Sequence, residues 1–339
     1  MAGYRDLFIY RVSNISTALP TRWLINLTNQ KLIHPFYHAV SDVPLPHMTH
    51  LYSVKNSDAF IKDIDWLLKH FSPIDYPEFK QIILGEKPIT KPSFLLSFDD
   101  GLSQFHDVIA PILKEKGVPA ICFLNSAFID NKALFFRYKA SLIIHTIQHS
   151  SEKHNTVKQI LDTSEVNQSL LAIQYADRAV LDIIADAISL DFDAYLKENT
   201  PYLSSQQIKS LIQQGFYFGA HSIDHPEYRH LDLPEQINQT KESVAKIIAN
   251  FGLDYRLFSF PFTDYSVSQQ FFTHLQQQNI TDLTFGCSGL KTDSAPNHFQ
   301  RIPCEMANLS AKQIVNAELL YFLAKWPFGR NKLVRHAGD

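Results

Sequence analysis

Short apolar runs alternate with amphipathic segments along most of the chain, and this alternation constrains the fold more than any other feature. The runs are apolar on both alternating faces, which is typical of strands buried within a parallel sheet. They are predicted as strands at residues 94–98, 118–124, 216–220, 257–262 and 281–285. Helices are predicted at residues 58–71, 103–116, 204–214, 234–251, 266–278 and 310–325. Strands that alternate with helices in this way predict an α/β chain built on a parallel sheet or a β/α barrel.

One region interrupts the alternation. Residues 130–200 are polar and helical in periodicity, and they contain no convincing strand. We interpret them as a helical insertion between two strands of the main domain. The predicted organisation is an N-terminal extension at 1–30, a main domain at 31–129 and 201–308, the insertion at 130–200, and a C-terminal helix and tail at 309–339.

The first chemical signal is a pair of carboxylates at the end of an apolar run. Residues 94–98 are followed at once by Asp99, Asp100 and Gly101. Two acids at the end of a buried strand are costly unless a partner compensates their charge, and a divalent metal is the obvious partner. Both acids reach one site only if the chain leaves strand geometry there, because adjacent strand residues point to opposite faces. Gly101 makes such a turn inexpensive.

The second signal is a pair of histidines, His221 and His225, directly after another predicted strand. If that segment turns helical, the two rings lie on one face and can bind the same metal ion. In a β/α barrel the carboxyl ends of all strands open on one face, where functional sites are built. The acid pair and the histidine pair are therefore predicted to form one metal site.

Together these motifs resemble a known family. Ser97-Phe98-Asp99-Asp100-Gly101, followed about 120 residues later by His221-Ser222-x-x-His225, resembles the polysaccharide deacetylases, the NodB-homology enzymes of carbohydrate esterase family 4. The resemblance covers residues 36–127 and 207–303. It implies an α/β fold, a distorted (β/α) barrel, and metal-dependent hydrolysis of N- or O-acetyl groups on sugars.

The resemblance also implies roles for single residues. Asp99 would be the general base, and Asp100 would bind the metal together with His221 and His225. Ser222 would support the loop that carries the two histidines. Two imidazoles and one carboxylate leave positions open for water and substrate, as catalytic zinc sites do. Zinc is the expected metal, and cobalt, nickel and iron suit the same ligands.

A further segment matches the family pattern in part. Pro261 and Phe262 resemble the proline-aromatic strand that lines the substrate groove. The arginine that usually stands close before this proline is not in register, and Arg256 lies further upstream. Arg301 is the other candidate to hold the base carboxylate.

The general acid is the main departure from the common pattern. No Leu-x-His motif appears near the C-terminus, where the family usually carries its acid histidine. A subset of the family has that histidine near the N-terminus in a Tyr-His or Phe-His dipeptide, which Tyr37-His38 resembles. His38 is therefore assigned as the acid. The alternative is that His38 is a structural histidine whose hydrogen bonds are satisfied at the mouth of the barrel. His47 and His50 could reach the same mouth from a loop, with a substrate-binding or a structural role.

Composition excludes several other classes. Lysine and arginine total 31 against 34 acidic residues, and they form no basic run, which argues against a nucleic-acid partner. Three widely separated cysteines predict neither a disulfide framework nor a zinc knuckle. No secretory signal and no apolar stretch of transmembrane length is visible, so a cytoplasmic or membrane-peripheral location is predicted. Residues 7–23 and 319–334 mix aromatic with basic residues, and they are interpreted as helices packed on the domain or as a membrane-docking surface.

The sequence as a whole predicts a metal-dependent hydrolase that removes acetyl groups from a sugar or polysaccharide and so acts on a C–N bond other than a peptide bond. The partner would be an acetylated glycan, and no oligomeric state is predicted. Two alternatives stay open, because fold alone does not separate them. One is a carbohydrate-binding barrel without turnover, and the other is an amidase that acts on another non-peptide C–N bond.

Overall fold

The computed structural model describes residues 4–306 and 308–336, and its centre is a parallel sheet of eight strands. Strands in the described residues are β1 (Leu32–Ile33), β2 (Pro35–Tyr37), β3 (Ser72–Pro73), β4 (Ser93–Phe94), β5 (Leu96–Phe98), β6 (Ala120–Leu124), β7 (Tyr217–Ala220), β8 (Leu257–Ser259), β9 (Leu283–Gly286), β10 (Thr292–Asp293), β11 (His298–Gln300), β12 (Ile302–Pro303) and β13 (Lys332–Leu333). Across the eight-stranded sheet the strand order is β11-β9-β8-β7-β6-β5-β2-β12, and every pair is parallel.

The sheet closes on itself through Arg301. Its two edge strands, β11 and β12, follow each other in the chain with only Arg301 between them. The Arg301 N–H donates to the Gly286 carbonyl beside β9 (3.1 Å), and the Ile302 N–H donates to the His34 carbonyl beside β2 (2.8 Å). One extended segment thus pairs with both ends of the sheet, and the predicted (β/α) barrel is confirmed.

Helices surround this barrel and follow ordinary end signals. In the described residues they are α1 (Tyr4–Ser16), α2 (Thr21–Thr28), α3 (Ser57–His70), α4 (Tyr76–Ile83), α5 (Ala110–Glu115), α6 (Phe136–Ile147), α7 (Ser151–Leu161), α8 (Val166–Ala172), α9 (Val180–Ala187), α10 (Phe192–Asn199), α11 (Ser205–Gln213), α12 (Leu233–Phe251), α13 (Gln269–Gln277) and α14 (Ala311–Lys325). In α12 the Asp232 side chain caps the Glu235 N–H at one end, and Gly252 ends the helix in the left-handed region at the other.

Two predicted elements differ from the structure. Residues 94–98 were expected to form one strand, but they divide at Leu95 between two sheets. There β4 pairs with β1 and β3 in a small three-stranded sheet, and β5 enters the barrel. The predicted helix at 103–116 begins with a π-helical turn, Phe105–Ile109, before α5. Apolar periodicity does not report such local changes of partner or pitch.

The region between β6 and β7 carries six helices, α6 to α11, and we call the first five of them, α6 to α10, the helical layer. Their inner faces form an apolar core of their own, with Ile143, Ile144, Leu181 and Ile184 fully or almost fully buried. Tyr202, Met48 and Ala39 on the barrel side belong to the same core. The helical layer is therefore packed against the barrel mouth and not held away from it.

The first and last helices pack together. The rings of Phe8 on α1 and Tyr321 on α14 lie 5.1 Å apart, and Thr21 on α2 donates to the Asn316 side chain of α14 at 3.0 Å. Ile9 on α1 and Leu24 on α2 are buried on the inner side of these terminal helices. None of the helices formed by residues 4–306 and 308–336 has the length and apolar character needed to cross a membrane.

Candidate metal centre and active-site cleft

The end of β5 turns sharply so that two neighbouring carboxylates reach one site. The Asp99 N–H makes a ladder bond to the Tyr37 carbonyl (3.0 Å), and the chain then adopts positive φ at Asp100 (71°) and Gly101 (64°). Glycine adopts this backbone angle without strain, and a Cβ atom on residue 101 would lie 2.7 Å from the Leu124 Cδ2, which would have to move. The predicted departure from strand geometry is found at this position.

Asp99 is held by Arg301. The two terminal guanidinium nitrogens donate to its two carboxylate oxygens at 2.8 and 2.7 Å, and both side chains are buried. The same guanidinium also donates to the hydroxyls of Ser97 (3.0 Å) and Ser259 (2.5 Å) and to the Gly286 carbonyl (3.2 Å). Burial favours the neutral acid, but Arg301 outweighs it, and the pKa of Asp99 lies below its usual value.

The other candidate arginine lies elsewhere. Arg256 precedes β8 and is paired with Asp282 at 2.6 Å, at the opposite end of the strand from the acids. Arg301 lies where the barrel closes, so its side chain reaches Asp99 across the sheet ends. The structure thus places Arg301, and not Arg256, against the Asp99 carboxylate.

Asp100 faces the two histidines. Its Oδ1 lies 3.1 Å from the His225 Nε2 and 3.5 Å from the His221 Nε2. One ligand atom from each of the three residues lies within 4.8 Å of the others, and all three side chains are buried. The acid pair and the histidine pair therefore converge, with Asp99 and Asp100 directed at different partners.

The segment that carries the two histidines is a loop and not a helix. Residues after β7 form an irregular loop in which Ser222 (71°) and His225 (66°) have positive φ. The buried Ser222 hydroxyl accepts the His225 N–H at 3.0 Å and stabilises this turn. Loop geometry, and not an i,i+4 helical face, brings the two rings to 4.9 Å between centroids.

Hydrogen bonding directs one histidine nitrogen toward the centre. The His221 Nδ1 lies 2.8 Å from the Ser259 carbonyl, so Nδ1 carries the proton and Nε2 keeps a free lone pair. Burial lowers the pKa of His221 to about 4, which keeps the ring neutral, as a metal ligand must be.

The donor set fits a divalent metal. The Asp100 Oδ1 is buried and accepts no hydrogen bond from any described residue, although it lies between two imidazoles. Such an orphaned carboxylate oxygen is expensive unless a cation takes the missing position. Two imidazoles and one carboxylate are a ligand set typical of catalytic zinc sites.

His38 lies beside this centre and is held by Glu305. The His38 Nδ1 lies 2.7 Å from the Glu305 Oε2, and the other carboxylate oxygen accepts the His38 N–H at 2.9 Å and the Ala39 N–H at 3.1 Å. Burial alone would lower the pKa of His38, but the Glu305 carboxylate raises it to about 9. Nε2 is the ring nitrogen that Glu305 does not bind. No sequence signal indicated Glu305, because its role depends on the pairing of β12 with β2.

The helical layer contributes to the same centre. The Tyr138 hydroxyl on α6 donates to the Asp100 Oδ2 at 3.1 Å, and the Phe135 ring lies 4.3 Å from the His225 ring. Neither residue was predicted to have a function, since their contacts arise only when the helical layer packs on the barrel.

A cleft of about 480 Å³ opens over these residues. Its lining includes Arg5, Asp6, Phe36, His38, Tyr52, Asp99, Asp100, Phe135, Arg137, His221, His225, Phe262 and Arg301. Phe262 is partly exposed at the rim, whereas its neighbour Pro261 is buried outside the lining.

His47 and His50 do not line the cleft. His47 is buried behind its wall, where its Nδ1 lies 2.7 Å from the Tyr195 hydroxyl and its ring 4.9 Å from the Tyr138 ring. Burial lowers the pKa of His47 to about 4. This placement favours a structural role over the substrate contact expected from the sequence.

A second group of potential ligands is already neutralised. Asp264, Asp293 and His298 lie close together beyond the cleft, and the Arg335 guanidinium bridges both carboxylates, with 2.7 Å to Asp293. The arginine occupies the position that a cation would take.

Comparisons with known proteins agree with the fold. The sequence model of the polysaccharide deacetylase family matches residues 86–281, more than half of the chain. The fold is similar to that of the Streptococcus pyogenes deacetylase PplD, solved in complex with acetate, at a TM-score of 0.55 and 15% identity over 85% of this chain and 98% of that one. It is similar to IcaB from Ammonifex degensii at 0.55 and 14% over 86% and 97%, and to a de-N-acetylase from Aggregatibacter actinomycetemcomitans at 0.52 and 14% over 81% and 95%. No curated protein sequence matches the chain.

Proposed function

The chain belongs to the polysaccharide deacetylase family, and from that membership we propose that it hydrolyses N-acetyl groups of a glycan with a divalent metal, zinc by preference. The observation that carries the proposal is that two adjacent carboxylates have different partners. Arg301 keeps Asp99 ionised, whereas Asp100 lies in a buried pocket with His221 and His225. In that pocket the Asp100 Oδ1 accepts no hydrogen bond from any described residue. A de-N-acetylase among the similar structures supports the choice of nitrogen over oxygen.

Asp100, His221 and His225 would hold the metal. When bound, the metal would polarise the acetyl carbonyl and lower the pKa of water. Tyr138 fixes the Asp100 carboxylate from the side opposite the histidines, and Ser259 fixes the His221 ring. These contacts orient the ligands before any cation arrives.

Asp99 would act as the general base. Its carboxylate is ionised, and it lies next to the ligand set at the bottom of the cleft. It would accept the proton of the attacking water. Arg301 keeps the carboxylate in one orientation through two parallel hydrogen bonds, so that the proton acceptor is positioned in advance.

His38 would donate a proton to the departing sugar amine. Glu305 binds Nδ1 and keeps the imidazolium form, which leaves the Nε2 proton for the nitrogen of the breaking C–N bond. The products would be acetate and a free amino sugar. This assignment answers the main argument for a carbohydrate-binding barrel without turnover, which is that the chain lacks the family's C-terminal acid histidine.

The proposal is tested by acetate release from short N-acetylglucosamine oligomers. Purified protein is stripped with a chelator, assayed, and assayed again after zinc is added. We expect activity only with the metal, and His38→Ala should lose turnover while it still binds zinc. The proposal would be wrong if the stripped protein is fully active or if only O-acetylated sugars are hydrolysed.

A further inference from the structure

Large exposed apolar side chains are concentrated near the two ends of the described chain. Nine of the fifteen such residues in the described part of the chain lie between positions 4 and 27 or between 326 and 334. They are Tyr4, Leu7, Tyr10, Ile15, Trp23, Leu27, Trp326, Phe328 and Val334. Four aromatic side chains are especially exposed, at 90% for Tyr4, 63% for Tyr10, 63% for Trp326 and 74% for Phe328. Exposed aromatic groups in such density are unusual unless another surface covers them.

Helix packing brings the two stretches together. At one end of the α1–α14 pair the Gln313 side chain donates to Asn14 at 2.9 Å, and further along Phe8 contacts Tyr321. The helices are therefore antiparallel, and the start of α1 lies beside the end of α14. Tyr4 and Leu7 thus share one end of the helix pair with Trp326 and Phe328, and Tyr10 lies about one turn further along α1. We call these five residues the terminal patch.

The charge around the terminal patch is mainly positive. Of the seven basic residues at positions 4–28 and 325–336, Arg5 is paired with Glu318 and Arg335 with Asp264 and Asp293. The other five are Arg11, Arg22, Lys325, Arg330 and Lys332, and the same stretches contain a single acid, Asp6. The Lys325 Nζ lies 5.2 Å from the centre of the Tyr321 ring, so basic and aromatic groups are interleaved. Tyrosine and tryptophan beside lysine and arginine match the chemistry of a lipid headgroup region that carries negative charge.

We propose that the terminal patch docks on the surface of a bilayer that contains anionic lipid. The aromatic side chains would enter the headgroup layer, and the surrounding basic side chains would face lipid phosphates. Arg5 and Asp6, on the same end of α1, line the cleft that holds Asp99 and Asp100. Docking would therefore bring the cleft opening next to the membrane surface.

Vesicle flotation tests the proposal without any substrate. The full chain is mixed with vesicles of phosphatidylcholine and phosphatidylglycerol, or of phosphatidylcholine alone, and the bound fraction is measured. We expect binding to the mixed vesicles that weakens with salt. The double variant Trp326→Ser with Phe328→Ser should bind at least about tenfold less, because two large apolar groups no longer enter the interface.

A matched control removes exposed apolar side chains elsewhere. Leu84→Ser with Ile183→Ser changes residues that are 60% and 61% exposed outside the terminal patch, and it should bind as the parent does. Equal binding of parent and patch variant, or equal loss in the control, would overturn the proposal. A dimer in lipid-free buffer that only the patch variant abolishes would also overturn it, since the patch would then be an interface between two copies. Because no turnover is measured, these outcomes are independent of the proposed hydrolysis.

Discussion

The Tyr138 hydroxyl donates a hydrogen bond of 3.1 Å to the Asp100 Oδ2, and this contact links the helical layer to the proposed metal ligands of the barrel. Tyr138 lies on α6, which belongs to the segment between β6 and β7, whereas Asp100 ends a central strand. The other Asp100 oxygen faces His221 and His225. One carboxylate is thus shared between a positioning hydroxyl and the proposed cation.

Tyr138→Phe is therefore expected to weaken metal binding and leave the fold intact. The variant keeps the ring that packs on His47 but frees the Asp100 carboxylate to rotate. Loss of such a supporting hydrogen bond typically costs about 10- to 100-fold in metal affinity. Calorimetric titration of the stripped protein with zinc measures the change. Tyr265→Phe, which alters an exposed tyrosine, is the control, and equal affinities for the two variants would contradict the role of Tyr138.

Removing Arg301 is expected to destabilise the protein strongly. Arg301→Met leaves the buried Asp99 carboxylate without its partner, and breaking a buried pair costs about 3–5 kcal/mol. Urea unfolding of the metal-free protein measures the loss. The double variant Asp99→Asn with Arg301→Met should recover part of it, because no uncompensated charge remains. Additive losses in the double-mutant cycle would show that the two side chains are not coupled.

The Glu305 carboxylate is expected to set the alkaline limit of activity. The pKa of His38 is raised from 6.5 to about 9, so the ring stays protonated, and able to donate, until the pH rises through that value. The stabilisation of the folded protein by the His38–Glu305 pair is fully present below pH 6.5 and is lost as the pH rises through about 9. In Glu305→Gln, the pH at which activity falls and the pH at which this stabilisation is lost should both move from about 9 toward 6.5. The pH dependence of kcat and the NMR titration of His38 in metal-free protein measure this shift.

Glu78→Gln removes a surface carboxylate paired with Lys87 and provides the control for Glu305→Gln. In this variant kcat should fall at the same alkaline pH as in the parent protein. An unchanged limb in Glu305→Gln would show that another group supplies the proton.

Zinc is expected to bind once per chain. The second cluster of Asp264, Asp293 and His298 is bridged by Arg335, so its negative charge is already compensated. Metal analysis after dialysis against zinc measures the stoichiometry. Two ions per chain, falling to one in Asp293→Ala, would show that Arg335 yields its position to a cation.

The sequence predicted a parallel sheet or a β/α barrel because its strands are short, apolar and separated by helices, and the resemblance of its motifs to a known family selected the barrel. It also predicted that Asp99 and Asp100 converge with His221 and His225, since the carboxyl ends of parallel strands meet on one face. The sequence did not reveal the conformation of the segment after β7, which brings the two rings together without being helical. Positive φ at Ser222 and His225 depends on hydrogen bonds such as that between Ser222 and the His225 N–H, which the spacing of the histidines does not reveal.

Other parts of the site depend on contacts between distant segments. Glu305 reaches His38 because β12 pairs with β2, and Tyr138 reaches Asp100 because α6 packs over the barrel mouth. Neither residue lies in a recognisable motif. Conversely, His47 and His50 were expected near substrate from their position in a loop, but packing against the helical layer removes them from the cleft lining.

The division of labour between the two neighbouring acids is tested most directly by measuring zinc content and acetate release together in Asp99→Asn and Asp100→Asn. Asp99→Asn should keep its zinc and lose turnover by at least about 100-fold, because only the proton acceptor is removed. Asp100→Asn should lose zinc at micromolar concentration, and turnover with it. Loss of zinc in Asp99→Asn, or an Asp100→Asn protein that retains the metal, would contradict the assignment.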